Sequence, residues 1–272
     1  MKLLRNLAIA SFALAFGTLA FADDAHDIIE KQSTLDAPDS SQATMMLTNI
    51  EKDGSSEPMP MNQYGRTVNG LIQTVFDIKG PPKVKDTRVL QMEKAGGRED
   101  DRWIYQPKLR QVRRIPMGER YKQFVGCEFT YNDMAIRNVD DDKHEMLSEN
   151  ETITVPGGKT YKCWKIKSVP LKKSEVEYSY RVQYIDKESY LPAKIEYYDK
   201  KDHNRIMKTY TTEEWVWLTS KTGKKYAMRM KARVVNNITG RYTTLEIKNP
   251  IFDAGISPNY FTQQFLSTGK AK

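Results

Sequence analysis

Cysteine and histidine are scarce in this chain: Cys127 and Cys163 are its two cysteines, and His26, His144 and His203 its three histidines. With no HExxH helix and no CxxC pair, a zinc site has no obvious ligand set. No G-x-S-x-G elbow presents a serine nucleophile, and no glycine-rich loop cradles phosphate. The acidic run Asp140-Asp141-Asp142 with Glu145 lacks the spacing of a calcium loop and reads as a solvated turn. No enzyme, metal or cofactor is expected. Gly/Ser linkers, low-complexity tracts and internal repeats are also missing, so nothing divides the chain.

Long apolar runs are equally rare. The one candidate, Leu7 to Phe21, is shorter than the roughly 20 residues a membrane-spanning helix needs. It follows Lys2 and Arg5 and ends in Ala20-Phe21-Ala22, the pattern of a secretory signal peptide. Residues 1–22 are therefore expected to be removed, and residues 23–272 to form one soluble domain outside the cytoplasm. The formal charge of +8 suits an anionic partner such as membrane head groups or an acidic protein surface. With 29% charged residues it equally suits an ordinary solvated exterior. Export counts against nucleic acid.

What is abundant is alternation. After a short amphipathic helix carrying Ile28, Ile29, Gln32 and Leu35, and stopped by Pro38, period two takes over. TVNGLIQTVFDIKGPP sets Val68, Gly70, Ile72, Thr74, Phe76 and Ile78 on one face. YSYRVQYID sets Tyr178, Tyr180, Val182 and Tyr184 against Ser179, Arg181 and Gln183. YAMRMKARVV sets Tyr226, Met228, Met230, Ala232 and Val234 against Arg229, Lys231 and Arg233. One apolar and one charged face, repeated, predict an antiparallel sheet wet on one side. Turns at Gly80–Pro82, Ala95–Gly97, Pro156–Gly158 and Lys200–Lys201 give a meander of roughly ten strands. Ser257 and Pro258 open a short terminal helix with Phe261 and Phe265 on one face.

One sheet with a single apolar face and too few helices for a second layer must curl around that face, with the helices closing its mouth. Ile72, Phe76, Tyr180, Val182, Met228 and Met230 are then expected to converge on one space, either a packed core or a cavity for apolar ligands.

The stretch WIYQPKLRQVRRI reads as a hairpin turning at Pro107, with Arg110, Arg113 and Arg114 along its rim. FVGCEFTYND follows, where Gly126 permits a sharp bend. Together with SSQATMMLTN, YIDKESYLPAKIEYYDKKDHNRIMKTY and TTLEIKNPIFDAGISPNYFTQQFL, these segments resemble the outer-membrane lipoprotein-sorting proteins of the LolA/LolB-like superfamily. The chain departs from that pattern at Cys127-Glu128, where Ser-Asp is usual, and at Asp202-His203-Asn204, where a glycine-bearing turn is usual.

The resemblance implies a mainly β, unclosed barrel with a helical lid and an apolar cavity that shelters acyl chains. It also implies a monomeric periplasmic carrier of lipoproteins or lipids, working between an inner-membrane transporter and an outer-membrane acceptor. The arginine rim would meet an anionic surface or anchor FVGCEFTY. A rival reading is an envelope scaffold with a filled core and a basic binding rim. A third, an enzyme on lipid or glycan, would need a pair of carboxylates inside the cavity. Cys127 and Cys163 could pair in an oxidising compartment only if FVGCEFTY lies over the outward face that Cys163 shares with Lys165 and Lys167.

Overall fold

The computed structural model describes residues 19–96 and 98–271. Most of the expected signal peptide, residues 1–18, lies outside them, and the expected cleavage point falls within the first helix, α1 (Leu19–Ser33). The helix stops before Leu35, and the hydroxyls of Ser33 and Thr34 both donate to the Glu30 carbonyl in its last turn.

Thirteen strands follow among the described residues, all in one antiparallel sheet. The first six are β1 (Ser40–Ile50), β2 (Ser56–Val68), β3 (Leu71–Ile78), β4 (Arg88–Met92), β5 (Asp101–Gln106) and β6 (Gln111–Arg114). The remaining seven are β7 (Asp142–Thr154), β8 (Thr160–Pro170), β9 (Tyr180–Asp186), β10 (Pro192–Tyr198), β11 (Ile206–Thr219), β12 (Lys225–Asn236) and β13 (Tyr242–Phe252). Two meanders are joined where β1 pairs with β13, and the sheet stays open, with β6 and β7 as its free edges. The expected unclosed antiparallel sheet is present, and it is not a barrel.

The strand count exceeds expectation partly because TVNGLIQTVFDI is two strands. Asn69 and Gly70 have φ of 52° and 76°, the left-handed pair that a two-residue hairpin requires, and Val68 pairs with Leu71. Val68 and Ile72 therefore belong to different strands.

Directly paired residues project to the same side of a sheet. Met45 lies opposite Met61 and Ile247, Leu245 opposite Ala232, Val234 opposite Tyr210, and Tyr210 opposite Ile195. These side chains form one continuous inner face that carries the main core. The outer face of the first meander carries Val75 and Leu90, covered by α2 (Gln263–Thr268) through Phe265 and Leu266, with Phe261 just before it. Ser257 caps the preceding turn and Thr262 caps α2 itself. Helix α1 packs at the other end of the molecule, where Ala25 and Ile29 meet Ile166 and Ile185.

On β9 the expected orientation is reversed. Gln183 pairs with Ile195 and so shares the inner side, while Val182 and Tyr184 pair with Glu196 and Lys194 on the outer side. The polar set points inward because partners wait there: Gln183 donates to Ser168 at 2.8 Å, and Arg181 to Asp142 at 3.1 Å. Tyr180, Val182 and Tyr184 build a second apolar cluster outside, with Tyr161, Cys163 and Trp215.

Candidate functional site

Strands β6 and β7 are consecutive in sequence but lie at opposite edges of the sheet. The chain between them, residues 115–141, must therefore cross from one edge to the other, and it does so over the inner face. Gln123 bridges to Thr130, and Phe124 N–H donates to the Phe129 carbonyl at 2.7 Å, making a tight loop. Its tip is Val125 and Gly126, at φ of 50° and 85°. Glycine takes that conformation freely, whereas a β-branched residue there is strained.

The loop drives its apolar side chains into the inner face. Phe124, Cys127 and Phe129 are at most 1% exposed. The Phe124 ring meets Phe76 at 5.3 Å and Tyr131 at 5.4 Å, both nearly edge-on. The expected cavity is thus occupied by the protein's own chain in this state.

Polar side chains fix the loop in place. Glu128 accepts from Gln123 at 3.1 Å and from Asn236 at 3.0 Å, and its backbone N–H donates to Thr243 at 2.9 Å. Arg102 donates to the Tyr131 carbonyl at 2.9 Å, and Arg120 to Glu99 at 2.9 Å. Asp133 accepts from Thr130, Tyr197 and the Lys208 ammonium, which also bonds Glu177. Burial alone would raise the Asp133 pKa, but Lys208 and the hydrogen bonds outweigh it and hold the carboxyl below its ordinary value. Asp133 and Glu177 form a carboxylate pair on the inner side, yet they share one ammonium and Asp133 stays ionised. That suits a latch better than a general acid.

The buried anchors Arg102, Arg120, Asp133 and Lys208 escaped the sequence reading. A signal existed for two of them: Arg102 shares a face with Ile104, and Lys208 with Tyr210, charges placed at apolar positions of the alternation. The expected rim arginines have lesser parts. Arg113 pairs with Glu119 and Arg114 with Asp101 and Glu99, all partly solvent-exposed, and Arg110 turns the hairpin at φ of 51°. Of the three, Arg113 alone touches the start of the crossing segment.

The six expected lining residues do not share one space. Phe76 lies in the main core and Met228 packs at its margin. Tyr180 and Val182 belong to the outer cluster. Ile72 and Met230 are half-buried. The crossing loop lies inside rather than over the outer face, so Cys127 sits in the main core and Cys163 in the outer cluster, and both thiols are free. Cys163 does share its side with Lys165 and Lys167, but the outer cluster buries it fully.

Of the acidic run, Asp142 is buried and claimed by Arg137 and Arg181. His26 and His144, remote in sequence, come within 6.0 Å of each other. The His144 ring is committed to Ser168 and the Val139 carbonyl, which leaves His26 with Asp27 and Glu30 as an exposed set that could hold a cation.

A family model described as an uncharacterized protein matches residues 70–268. No curated protein sequence matches the chain. Among solved structures, a DUF1329 family protein from Desulfovibrio piger superposes with a TM-score of 0.77 at 22% identity, over 90% of this chain and 99% of that one. A domain named as an outer membrane lipoprotein-sorting protein, from Vibrio parahaemolyticus, gives 0.77 at 24% identity over the same shares. A LolA superfamily protein from Nitrosomonas europaea gives 0.61 at 16% identity, over 89% and 98%. At these identities the likeness is one of fold, and the fold is LolA/LolB-like.

Proposed function

Because the chain belongs to the family whose model spans residues 70–268, and folds like the LolA superfamily, we propose that it is a periplasmic carrier that shelters acyl chains of lipoproteins or lipids on its inner face. The observation that supports this most is the nature of the cover. A continuous apolar face running from Phe76 to Tyr210 is sealed by an irregular loop rather than by a further sheet or helical layer. Ligand-binding loops and lids are drawn from the less stable parts of a fold, and an irregular cover can leave without breaking a strand ladder.

The magnitudes allow exchange. Phe124, Phe129 and Tyr131 gain about 1.5–3 kcal/mol each from burial. An acyl chain of ~16 carbons gains roughly 0.8 kcal/mol per covered methylene, on the order of 10 kcal/mol in all. Loop and acyl chain thus compete for one surface with similar driving force, which suits a carrier that must also release its cargo. In this reading Phe76 and Met228, with Met45 and Met61 beside them, contact the acyl chain. Donor and acceptor would be an inner-membrane transporter and an outer-membrane protein. Export would be completed by cleavage after Ala22, which the intact mass of protein from the envelope fraction tests.

The full burial of Phe124 and Phe129 favours the rival reading, a scaffold whose core is permanently filled. Cys127 separates the two, because it rides on the loop while Cys163 does not. Alkylation with iodoacetamide, with and without oleate, is read by peptide mass. A carrier gives several-fold faster labelling of Cys127 and an unchanged rate at Cys163. No oleate binding and no acceleration would leave the scaffold.

A further inference from the structure

The outer face carries a groove that acyl transport does not use. The tip of the β7–β8 hairpin returns over β11, where Lys159 Nζ donates to the Trp215 carbonyl at 3.3 Å. Between them lies a space of about 670 Å³ lined by Lys159, Tyr161, Asp186, Glu188, Trp215 and Trp217, among others. Spaces of roughly 300–1,000 Å³ are the size of small-molecule sites.

Its chemistry is one-sided. The Lys159 ammonium stands 4.9 Å from the Trp215 ring centre and 5.2 Å from that of Tyr161. Among the described residues no carboxylate lies within ion-pair distance of it. Trp215 and Tyr161 are 7% and 3% exposed, and their Nε1 and hydroxyl have no hydrogen-bond partner among the described residues. An indole N–H and an ammonium can only donate. The Trp215 Nε1 and the Tyr161 hydroxyl are out of reach of solvent, so the donor this wall presents to a ligand is the Lys159 ammonium. Trp217 is 49% exposed and stands at 87° to Trp215, which offers a flat apolar face. On the far side, Asp186 already accepts from Ser189, while exposed Glu188 can accept from hydroxyls.

We propose that this groove binds an anionic sugar, a pyranose bearing phosphate or carboxylate. The ring's C–H face would lie on Trp217, and its anion would meet the Lys159 ammonium. An apolar ligand would leave the Lys159 ammonium without an anion, and a cationic one would be repelled by it. The site lies on the outer face, away from the inner face that carries the acyl reading, and stands independently of it.

Isothermal titration of the full mature chain tests the assignment. The probes are glucosamine 6-phosphate for a free sugar and lipid A in detergent micelles for a lipid-linked one, with glucose and inorganic phosphate as comparators. Saturable binding of glucosamine 6-phosphate, at least tenfold tighter than either comparator, is expected. Saturation by lipid A alone supports the same site with a lipid-linked source. Trp217→Ala and Lys159→Met should each weaken the interaction at least tenfold, and Lys165→Met, elsewhere on the outer face, should leave it unchanged. Circular dichroism confirms that each variant is folded. No saturable binding of either sugar probe, or equal binding by Lys159→Met and the parent, overturns the proposal.

Discussion

Lys208 on β11 and Asp133 on the crossing loop lie 75 positions apart in sequence, and the ammonium stands 2.9 Å from the carboxylate. Their side chains are only 7% and 9% exposed, so the pair ties the loop to the sheet where water has little access. Removing one partner of such a pair costs about 3–5 kcal/mol. For Asp133→Asn, where Glu177 still faces Lys208, a loss near the lower figure is expected in urea denaturation at pH 7.

The pH dependence has a definite sign. The Asp133 pKa is lowered on folding, so its contribution is complete above the unfolded value of about 3.9 and is lost as pH falls through the folded one. Despite burial, its carboxylate partners push Lys208 well above its ordinary value, so its contribution holds below about 10.4 and is lost as pH rises through the folded value. The stability gap between parent and Asp133→Asn should therefore be constant from about pH 5 to 10 and narrow below pH 4. A gap that persists undiminished at pH 2 would remove the pair from this role.

Alternation carried most of the fold, because a half-wet antiparallel strand has to write its two faces into sequence. It failed where a strand is covered on both sides. On β9 the tyrosines and the polar residues are both buried, and polarity cannot then say which side is inner. The hairpin at Asn69-Gly70 was legible and was overrun by the apolar alternation on either side of it. The loop's destination was not legible at all. FVGCEFTY has no period, and its burial follows from β6 and β7 standing at opposite edges, a property of the whole topology.

The thiols should behave as two separate buried groups. Burial pushes the Cys127 thiol up and the Cys163 thiol up to about 12, so thiolate, the reactive form, is scarce at neutral pH. Native protein made in an oxidising compartment should label slowly at both. In denaturant without reductant, two thiols should label at once. Mass-shifted peptides joined through Cys127 and Cys163 would contradict the separation of the two clusters.

A buried arginine adds a polar tie to the apolar packing of helix α2. Arg88 donates to the Leu266 carbonyl at 3.0 Å and to Asp77 at 3.1 Å, and it fills the space beside Gly269. Arg88→Met should cost about 3 kcal/mol, the low end for a broken buried pair because Lys79 still reaches Asp77. Hydrogen exchange should show faster opening at Phe265 and Gly269, with the inner-face strands β12 and β13 unchanged. Uniform loss of protection would mean that α2 and the sheet open together.

Met228 and Lys231 share strand β12 but face opposite sides. Met228 packs at the edge of the main core, while Lys231 is exposed and pairs with Glu214 at 2.9 Å. Their neighbour Arg229 is no outward control, because it donates to the Tyr210 hydroxyl at 2.7 Å. If acyl chains occupy the inner face, Met228→Glu places an unpaired carboxylate among their methylenes. An unpaired polar group in apolar surroundings costs at least about 1–3 kcal/mol, so affinity should fall tenfold or more. Lys231→Ala changes only the wet side and should bind as the parent does. Displacement of a fluorescent fatty acid reads both, with circular dichroism confirming the fold. Equal losses from the two substitutions would mean that the inner face does not hold the acyl chain, and the loop would then be a permanent part of the core.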